Sequence, residues 1–517
     1  MNKIYASGVL APSRRIVPFT ISAICIGYAV VLFSHRILND GDSYWHIAAG
    51  MWILNHGTVP HLDPFSYTRA GAPWVAHEWL SEVLMALAYR AGGWSGTFVL
   101  FGTAAAISCG TLARYLARWL DQPAAAAMFI FGVACVGGSL LARPHLLALS
   151  ALAIWTVALI TAKDEDAAPP LFLLPLMTVW ANLHASFIFG LGLTLPIALE
   201  AFVESRQRRV LIVRRWGLFI VAALGASLVT PHGLRGLLFP LQLIRMESNA
   251  NIAEWSATSF NTFQPLEGAL IALLYVAFTR SVRLPIGRLM IVLGLLYLAL
   301  AHTRHQMLAG VVGAIVLAKP LAQAFASNGK ETTPGNSAAV SDTDLRWLIS
   351  GVACIVFLTI LRLTQPVART DEPVSPISAL DHVPAETLKE PVLNSYEFGG
   401  YLIFKHLKPF IDGRADLYGD DFISAYLAAL APNRAAFARL VEKHGIRWAL
   451  LATGTPAVDM ISALPQWRRV YADTVAVVYV RDRSPAQVDQ TSLSQNSLSS
   501  PLATLVASPV PVRNRNR

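Results

Sequence analysis

Residues 16–46 read IVPFTISAICIGYAVVLFSHRILNDGDSYWH. The apolar run near 16–38 is long enough to cross a bilayer as a helix, since about 20 residues are needed. It is too long for the apolar region of a signal peptide and has no small-residue cleavage site, so it reads as a retained span. Directly behind it, Asp40-Gly41-Asp42 sets two carboxylates around a glycine that lets the chain turn. A helix is expected at 43–55, stopped by Gly57.

The rest of the chain repeats the apolar theme. Of 517 residues 54% are hydrophobic and only 14% charged, with a mean hydropathy of +0.49; soluble domains carry roughly 25% charged residues. Disordered, collagenous and disulfide-scaffold classes are excluded by the same figures. Runs near 16–38, 94–114, 123–142, 145–162, 170–184, 186–203, 216–230, 265–279, 286–302, 305–324 and 347–363 predict an α-helical polytopic membrane protein with about 11 spans. The net charge of +9 would suggest nucleic acid in a soluble protein. Here its placement gives orientation instead. With the N-terminus inside, 17 Lys and Arg fall in inner segments, among them Lys3, Arg14, Arg15, Arg206, Arg288, Lys319 and Lys330, against 7 in the outer connections. That bias is the positive-inside pattern, no nucleic-acid partner is needed, and everything after 364 is placed outside.

Residues 1–363 form the expected bundle, with a long first outer loop at 39–93. Composition then shifts. Segment 364–483 carries short β-type runs (391–396, 448–452, 475–480) and a helix at 433–444 ended by Gly445, a small outer α/β domain. Residues 326–345 read as a linker and 484–517 as a disordered tail. All four cysteines (Cys25, Cys109, Cys135, Cys354) fall within spans and read as core packing.

Ionisable groups at membrane depth are costly and mark functional positions by default, and here the histidines share one side. The outer connections hold His77-Glu78-Trp79-Leu80-Ser81-Glu82, Arg143-Pro144-His145, Asn182-Leu183-His184, His232 with Glu254-Trp255, and His302-Thr303-Arg304-His305. The inner connections hold no histidine. In a bundle, Asp40, Asp42, His77, Glu78, Arg143, His184, Glu254 and Arg304 are expected to converge on one outward cavity, with Asn182, His232 and Trp255 as further lining. Structural alternatives stay open for each. Asp40 or Asp42 could be a helix N-cap, and Glu78 and Glu82 could serve the dipole of a second outer helix at 79–91. Arg143 and Arg304 could snorkel to the interface. His46, His56 and His61, with the tryptophans at 45, 52, 74, 79 and 94, read as an interfacial belt. No zinc spacing, phosphate loop, dinucleotide fingerprint or serine elbow is present.

With Asp40-Gly41-Asp42 after the first span, two outer juxtamembrane helices near 43–55 and 78–91, and a many-span bundle followed by an outer domain, the chain resembles the membrane-embedded GT-C glycosyltransferases. Bacterial relatives of the protein O-mannosyltransferases are the nearest in pattern, over roughly residues 16–320. The resemblance implies a transferase that takes a sugar from a polyprenyl-phosphate carrier at the outer face of the bacterial inner membrane, with a periplasmic C-terminal domain. It implies a membrane-lipid environment and a glycan, lipid or protein acceptor. Related enzymes often open the second juxtamembrane helix with Lys-Pro-Pro-Leu, and this chain has His77-Glu78-Trp79-Leu80. Without that lysine, the carrier phosphate falls to Arg143, Arg304 or a histidine. Asn394 to Tyr401 and Phe410 to Asp416 look like the outer domain of uncharacterised bacterial members. Their Gly399-Gly400 and Asp412-Gly413 read equally well as turns.

On this reading the transfer is inverting, with Asp40 or Asp42 as general base for the acceptor hydroxyl. Arg143 and Arg304 suit the departing phosphate, with His145, His184 and His305 as further donors. No cofactor is certain; a divalent metal at Asp40/Asp42 is a candidate. A transporter, a lipid-linked oligosaccharide polymerase or ligase, and a non-catalytic assembly protein are the competing classes. Transport requires ionisable groups through to the inner face.

Overall fold

The computed structural model describes residues 16–205, 208–247, 253–326 and 341–482. Lys3, Arg14, Arg15, Arg206, Lys330, most of the linker and the tail at 484–517 lie outside the described residues.

The first span is helix α1 (Ile16–Phe33). Its Ile26 and Val30 keep more than half of their surface exposed, as side chains facing lipid do. Helix α2 (Asp42–His56) ends on Gly57 at φ 65°, whose amide donates to the Ile53 carbonyl, the left-handed glycine stop that the sequence suggests. Gly41, not an aspartate, is its N-cap, and it makes no side-chain cap bond. The capping role for Asp40 or Asp42 is therefore not what holds them there. Helix α3 (Trp79–Trp119) is one long rod broken at Gly92 and at Gly93 (φ 57°, ψ −143°), a conformation glycine adopts freely. The break separates a shorter helical piece, 79–91, from a longer apolar one.

Helices α4 (Gln122–Ala134), α5 (Pro144–Asp164), α6 (Leu174–Leu183), α7 (Phe187–Glu204) and α8 (Arg209–Ser227) continue the bundle. They are followed by α9 (Leu234–Ile244), α10 (Pro265–Thr279), α11 (Ile286–Ala301), α12 (Gln306–Phe325) and α13 (Asp342–Thr364). Small residues bring α1 against α3: a side chain at Gly102 would meet Tyr28 and Leu32, and one at Gly110 would meet Ile24. This is how helices associate where lipid removes the hydrophobic drive.

Among the described residues, eight helices are long and apolar enough to cross a membrane. Each of the eleven expected runs coincides with a helix, but those at 170–184, 265–279 and 286–302 are shorter apolar helices. α9, which the sequence reading left as loop, is a further short one. The chain is a multi-pass membrane protein with a mostly helical fold.

At one end of the bundle, charges from four helices meet. Lys163 meets Glu200 and Glu204 at 2.7 Å each, Arg288 meets Asp164 at 2.5 Å and Glu200 at 3.2 Å, and Lys319 meets Asp164 at 3.1 Å. The opposite end carries the long first loop and the C-terminal domain.

That domain begins where α13 stops. It contains strands β1 (Val392–Asn394), β2 (Trp448–Ala452), β3 (Trp467–Ala472) and β4 (Ala476–Arg481) in the order β1-β2-β4-β3. β1 runs parallel to β2, and the other pairs are antiparallel. Central β2 is buried on both faces, which explains its continuous apolar sequence. β3, at the edge, exposes Arg468 and Arg469, which protect an edge and hide the strand from a search for alternating apolar residues. Helices α14 (Ile377–Asp381), α15 (Gly399–Phe404), α16 (Ala415–Tyr418), α17 (Asp420–Leu430), α18 (Arg434–His444) and α19 (Pro456–Ser462) complete it. α18 is capped by Asn433 and stopped by left-handed Gly445.

The first loop is not an appendage of the bundle. Trp45, Ala49, Trp74 and Ala76 share the hydrophobic core of the C-terminal domain. Trp45 and Trp74 are therefore buried under the domain, and Trp94 is buried in the bundle core against Tyr44, Tyr89 and Phe404, a correction to their expected place in an interfacial belt. The free cysteines Cys109 and Cys135 are buried and Cys25 and Cys354 partly so.

Candidate active site

Between the bundle and the C-terminal domain lies a cavity of about 460 Å³. Asp40, Asp42, His77, Glu78, Arg143, His145, His184, Glu254, Trp255, Arg304 and His305 all line it. Two expected residues lie outside that lining. Asn182 is spent on structure, accepting from the Trp79 indole at 2.6 Å and donating to the carbonyls of Thr178 and Val229. His232 packs edge-on against His61 at 4.9 Å.

Arg143 organises the centre. Pro144 opens α5 and holds the residue before it extended (φ −121°, ψ 158°), which leaves the Arg143 side chain outside the helix. Its Nε donates to Asp40 Oδ2 at 2.8 Å and its Nη2 to Asp40 Oδ1 at 2.5 Å. Nη2 also lies 3.1 Å from Asp42 Oδ2, and Nη1 donates to Glu254 Oε1 at 2.8 Å. One guanidinium is thus shared by three carboxylates from two segments, both far from it in the chain.

The two aspartates are unequal. Asp40 is 4% exposed and gripped by two arginine nitrogens. Burial opposes its charge, but Arg143 outweighs burial and holds the carboxyl below its ordinary range. Asp42 keeps 21% of its side chain exposed. Burial, aided by the neighbouring Asp40 charge, pushes its carboxyl above the ordinary range in spite of Arg143. The Trp45 indole donates to Asp42 Oδ1 at 3.0 Å, and a side chain added at Gly413 would collide with that same oxygen.

A divalent cation does not fit between Asp40 and Asp42, because the Arg143 guanidinium already stands between their oxygens. Among the described residues no group of three His, Cys, Asp or Glu is placed to hold a metal ion.

Beside this centre, Glu78 faces three histidines: His184 at 3.4 Å, His77 at 3.5 Å and His46 at 3.8 Å. Burial raises the Glu78 carboxyl, yet His77, His184 and His46 overcome that and hold it well below the carboxylate range. His77 is the charged partner: burial pulls its imidazole down, but Glu78 and then Asp416 carry it up to about 9. His184 goes the other way, pushed down to about 3 by burial in spite of Glu78, and stays neutral. The His77 contribution to stability is therefore full below its unfolded value near 6.5 and is lost as pH rises through about 9. The melting temperature should fall between pH 6.5 and 9.5 more in the native protein than in His77→Gln; parallel curves would remove the ion pair from the account.

His46, expected as an interfacial polar residue, is 3% exposed and lines the cavity with Glu82. Its Nδ1 and the Glu82 Oε2 have no hydrogen-bond partner. Arg304 stacks over the Trp255 ring at 4.6 Å. Among the described residues it makes no ion pair, so it is a cation still free to take an anion. His305, 8% exposed with an unpaired Nδ1, follows it at the start of α12.

The remaining wall comes from the C-terminal domain: Tyr396, Glu397, Gly400, Gly413, Arg414 and Asp416. Arg414 is buried among carboxylates, with Nε 2.8 Å from Asp412 Oδ1, Nη2 2.7 Å from Asp412 Oδ2 and Nη1 2.7 Å from Asp63 Oδ1. It also lies over the Phe65 and Trp74 rings. Tyr67 and Thr68 of the loop bond to the Val392 and Phe410 carbonyls. The sequence signal for this wall was the Asp412-Gly413-Arg414 and Gly399-Gly400 stretches, which read equally well as turns. Their glycines serve close approach: side chains at Gly41 and Gly400 would strike the Glu397 and Gly41 carbonyl oxygens, respectively.

Fold and site together define a polytopic membrane protein with a polar cavity beneath its C-terminal domain, and its structural neighbours are GT-C fold glycosyltransferases. The Archaeoglobus fulgidus oligosaccharyltransferase in its apo form is 12% identical at a TM-score of 0.50, over 90% of this chain and 75% of that one. ArnT from Cupriavidus metallidurans in the apo state is 13% identical at a TM-score of 0.50, over 89% and 96% of the two chains. The chain has the GT-C fold. No protein-family model and no curated protein sequence matches it.

Proposed function

We propose that the chain is an integral membrane glycosyltransferase. It moves a sugar from a polyprenyl-phosphate carrier to an acceptor hydroxyl at the outer face of the bacterial inner membrane, with inversion. The observation that carries the reading is the pairing, in one cavity, of a partly exposed carboxylate with a raised pKa (Asp42) and an arginine that makes no ion pair among the described residues (Arg304). A base and an anion receiver are the two groups that such a transfer needs.

The acceptor O–H gives its proton to Asp42 as its oxygen bonds to the anomeric carbon. The bond from that carbon to the phosphate oxygen breaks, and the polyprenyl phosphate leaves with the electron pair. Arg304 takes the phosphate, with His305 and His145 beside it. Arg143, a candidate for the phosphate on sequence grounds, is saturated by Asp40, Asp42 and Glu254 and is assigned instead to holding the base. No nucleotide is required. The basic bias of the other end of the bundle supports an outward-facing cavity. Lys163, Arg288 and Lys319, locked in ion pairs there, support a closed inner end over a transport path.

The test is carrier binding. Hydrogen bonds to charged groups contribute about 1.5–3 kcal/mol, so Arg304→Ala should weaken undecaprenyl phosphate binding about 10- to 100-fold. Native mass spectrometry of the full chain in lipid nanodiscs reads this directly. Unchanged binding would remove Arg304 from the phosphate site.

A further inference from the structure

We infer that the C-terminal domain builds the acceptor half of this site, that Asp416 and Tyr396 hold the acceptor, and that the acceptor is an uncharged, hydroxyl-rich saccharide group rather than an anion. The inference rests on the glycosyltransferase reading and deepens it.

The cavity has two chemically different ends. Toward the bundle stand Arg304, His305, His145 and neutral His184. Toward the C-terminal domain stand Asp416, Tyr396 and Glu397, next to Asp42. The cations at this second end are already occupied. Arg414 is taken by both oxygens of Asp412 and by Asp63, and Arg143 by Asp40, Asp42 and Glu254. The positive charge of His77 is shared with Glu78. Asp416 itself has no cation within ion-pair distance among the described residues, and its burial pushes the carboxyl up to about 6. A carboxylate kept in a cavity without an ion pair is best satisfied by a ligand that donates hydrogen bonds.

A phosphate or carboxylate acceptor brings only acceptor oxygens and negative charge to this wall, and like charges across an interface repel strongly. A sugar hydroxyl both donates and accepts. It also suits the buried part of the cavity wall where His46 Nδ1, 3.7 Å from Glu82 Oε1, and Glu82 Oε2 make no hydrogen bond, at 3% and 1% exposure. A hydroxyl nucleophile is moreover the kind that needs a general base, and Asp42 adjoins this wall through Gly413.

Two probes separate the ends: an octyl hexopyranoside and octyl phosphate, each below its micellar concentration. They are titrated into the full-length protein in nanodiscs and followed by fluorescence of the cavity tryptophans. Asp416→Ala should lose at least tenfold in affinity for the glycoside and Tyr396→Phe several-fold, while Asp416→Asn, which keeps hydrogen-bonding atoms, should recover part of the loss. Octyl phosphate should weaken with Arg304→Ala and hold or tighten with Asp416→Ala. Undiminished glycoside affinity in Asp416→Ala, or octyl phosphate as the ligand that this variant loses, would overturn the inference. Undecaprenyl phosphate binding is measured alongside: its absence from the native protein defeats the glycosyltransferase reading, whereas its retention in Asp416→Ala with loss of the glycoside supports both.

Discussion

Asp42→Asn is expected to lower the transfer rate by about 10²- to 10⁴-fold, the usual worth of a positioned general base, in a protein that inserts normally and still binds undecaprenyl phosphate. The substitution is nearly isosteric, and the Trp45 indole can still donate to the amide oxygen in place of Asp42 Oδ1, so the loss reports on the proton acceptor. The pH profile gives an independent signature. Asp42 titrates above the ordinary carboxylate range because of its burial and the adjacent Asp40 charge. Native activity should therefore rise with pH through that raised value, and the residual activity of Asp42→Asn should lack the limb. Asp40→Asn should behave differently, since it loosens one of the carboxylates that fix Arg143; its defect should appear as mispositioning, with the acid limb retained. Full transfer by Asp42→Asn in single-turnover measurements would reassign the base.

The largest expected effect on stability is at Arg414. This side chain is 2% exposed and is the counter-ion of Asp412 and Asp63, at 0% and 3%. Arg414→Ala leaves two buried carboxylates uncompensated, and removing one partner of such a pair costs about 3–5 kcal/mol. It also removes the cation held over Phe65 and Trp74. For a unit of this size the melting transition of the C-terminal domain should drop on the order of 10–20 °C. Because Asp63, Phe65 and Trp74 belong to the first loop, that loop should melt with the domain. Proteolysis after Arg69 should therefore accelerate in step with the domain's own transition. A variant that melts with the native protein would show that the cluster is dispensable. Arg414→Lys, which keeps the charge and loses the fork, should lie between the two.

Much of the architecture could be read before any coordinates. The apolar runs coincide with helices, and Gly57, Gly92-Gly93 and Gly445 stop or break the chain where expected. These features are local: a span needs only its own apolar length, and a left-handed stop needs only its glycine. β3 and α9 were missed for equally local reasons. The edge strand begins Trp467-Arg468-Arg469 without alternation, and α9 is an 11-residue amphipathic helix too short to signal a span. The tryptophans were misplaced because the same side chain suits a membrane interface and a domain core.

The candidate site shows the same division. Eight residues expected to share one cavity all line a single one, because chain direction and charge bias assign each connection to a side. What distinguishes them is tertiary. Asp40 and Asp42 are two positions apart in a symmetrical-looking motif, and only Arg143, 103 residues from Asp40, grips one with two nitrogens and leaves the other partly exposed. Glu254 joins the same guanidinium from 111 residues away. The wall holding Tyr396 and Asp416 comes from beyond the last span. What segments alone dictate is a multi-span membrane chain whose histidines gather at one face, since burying apolar length and sorting charge are properties of segments. The tertiary structure decided which charges neutralise one another and which remain for a ligand, because that depends on ångström-scale distances between segments far apart in the chain.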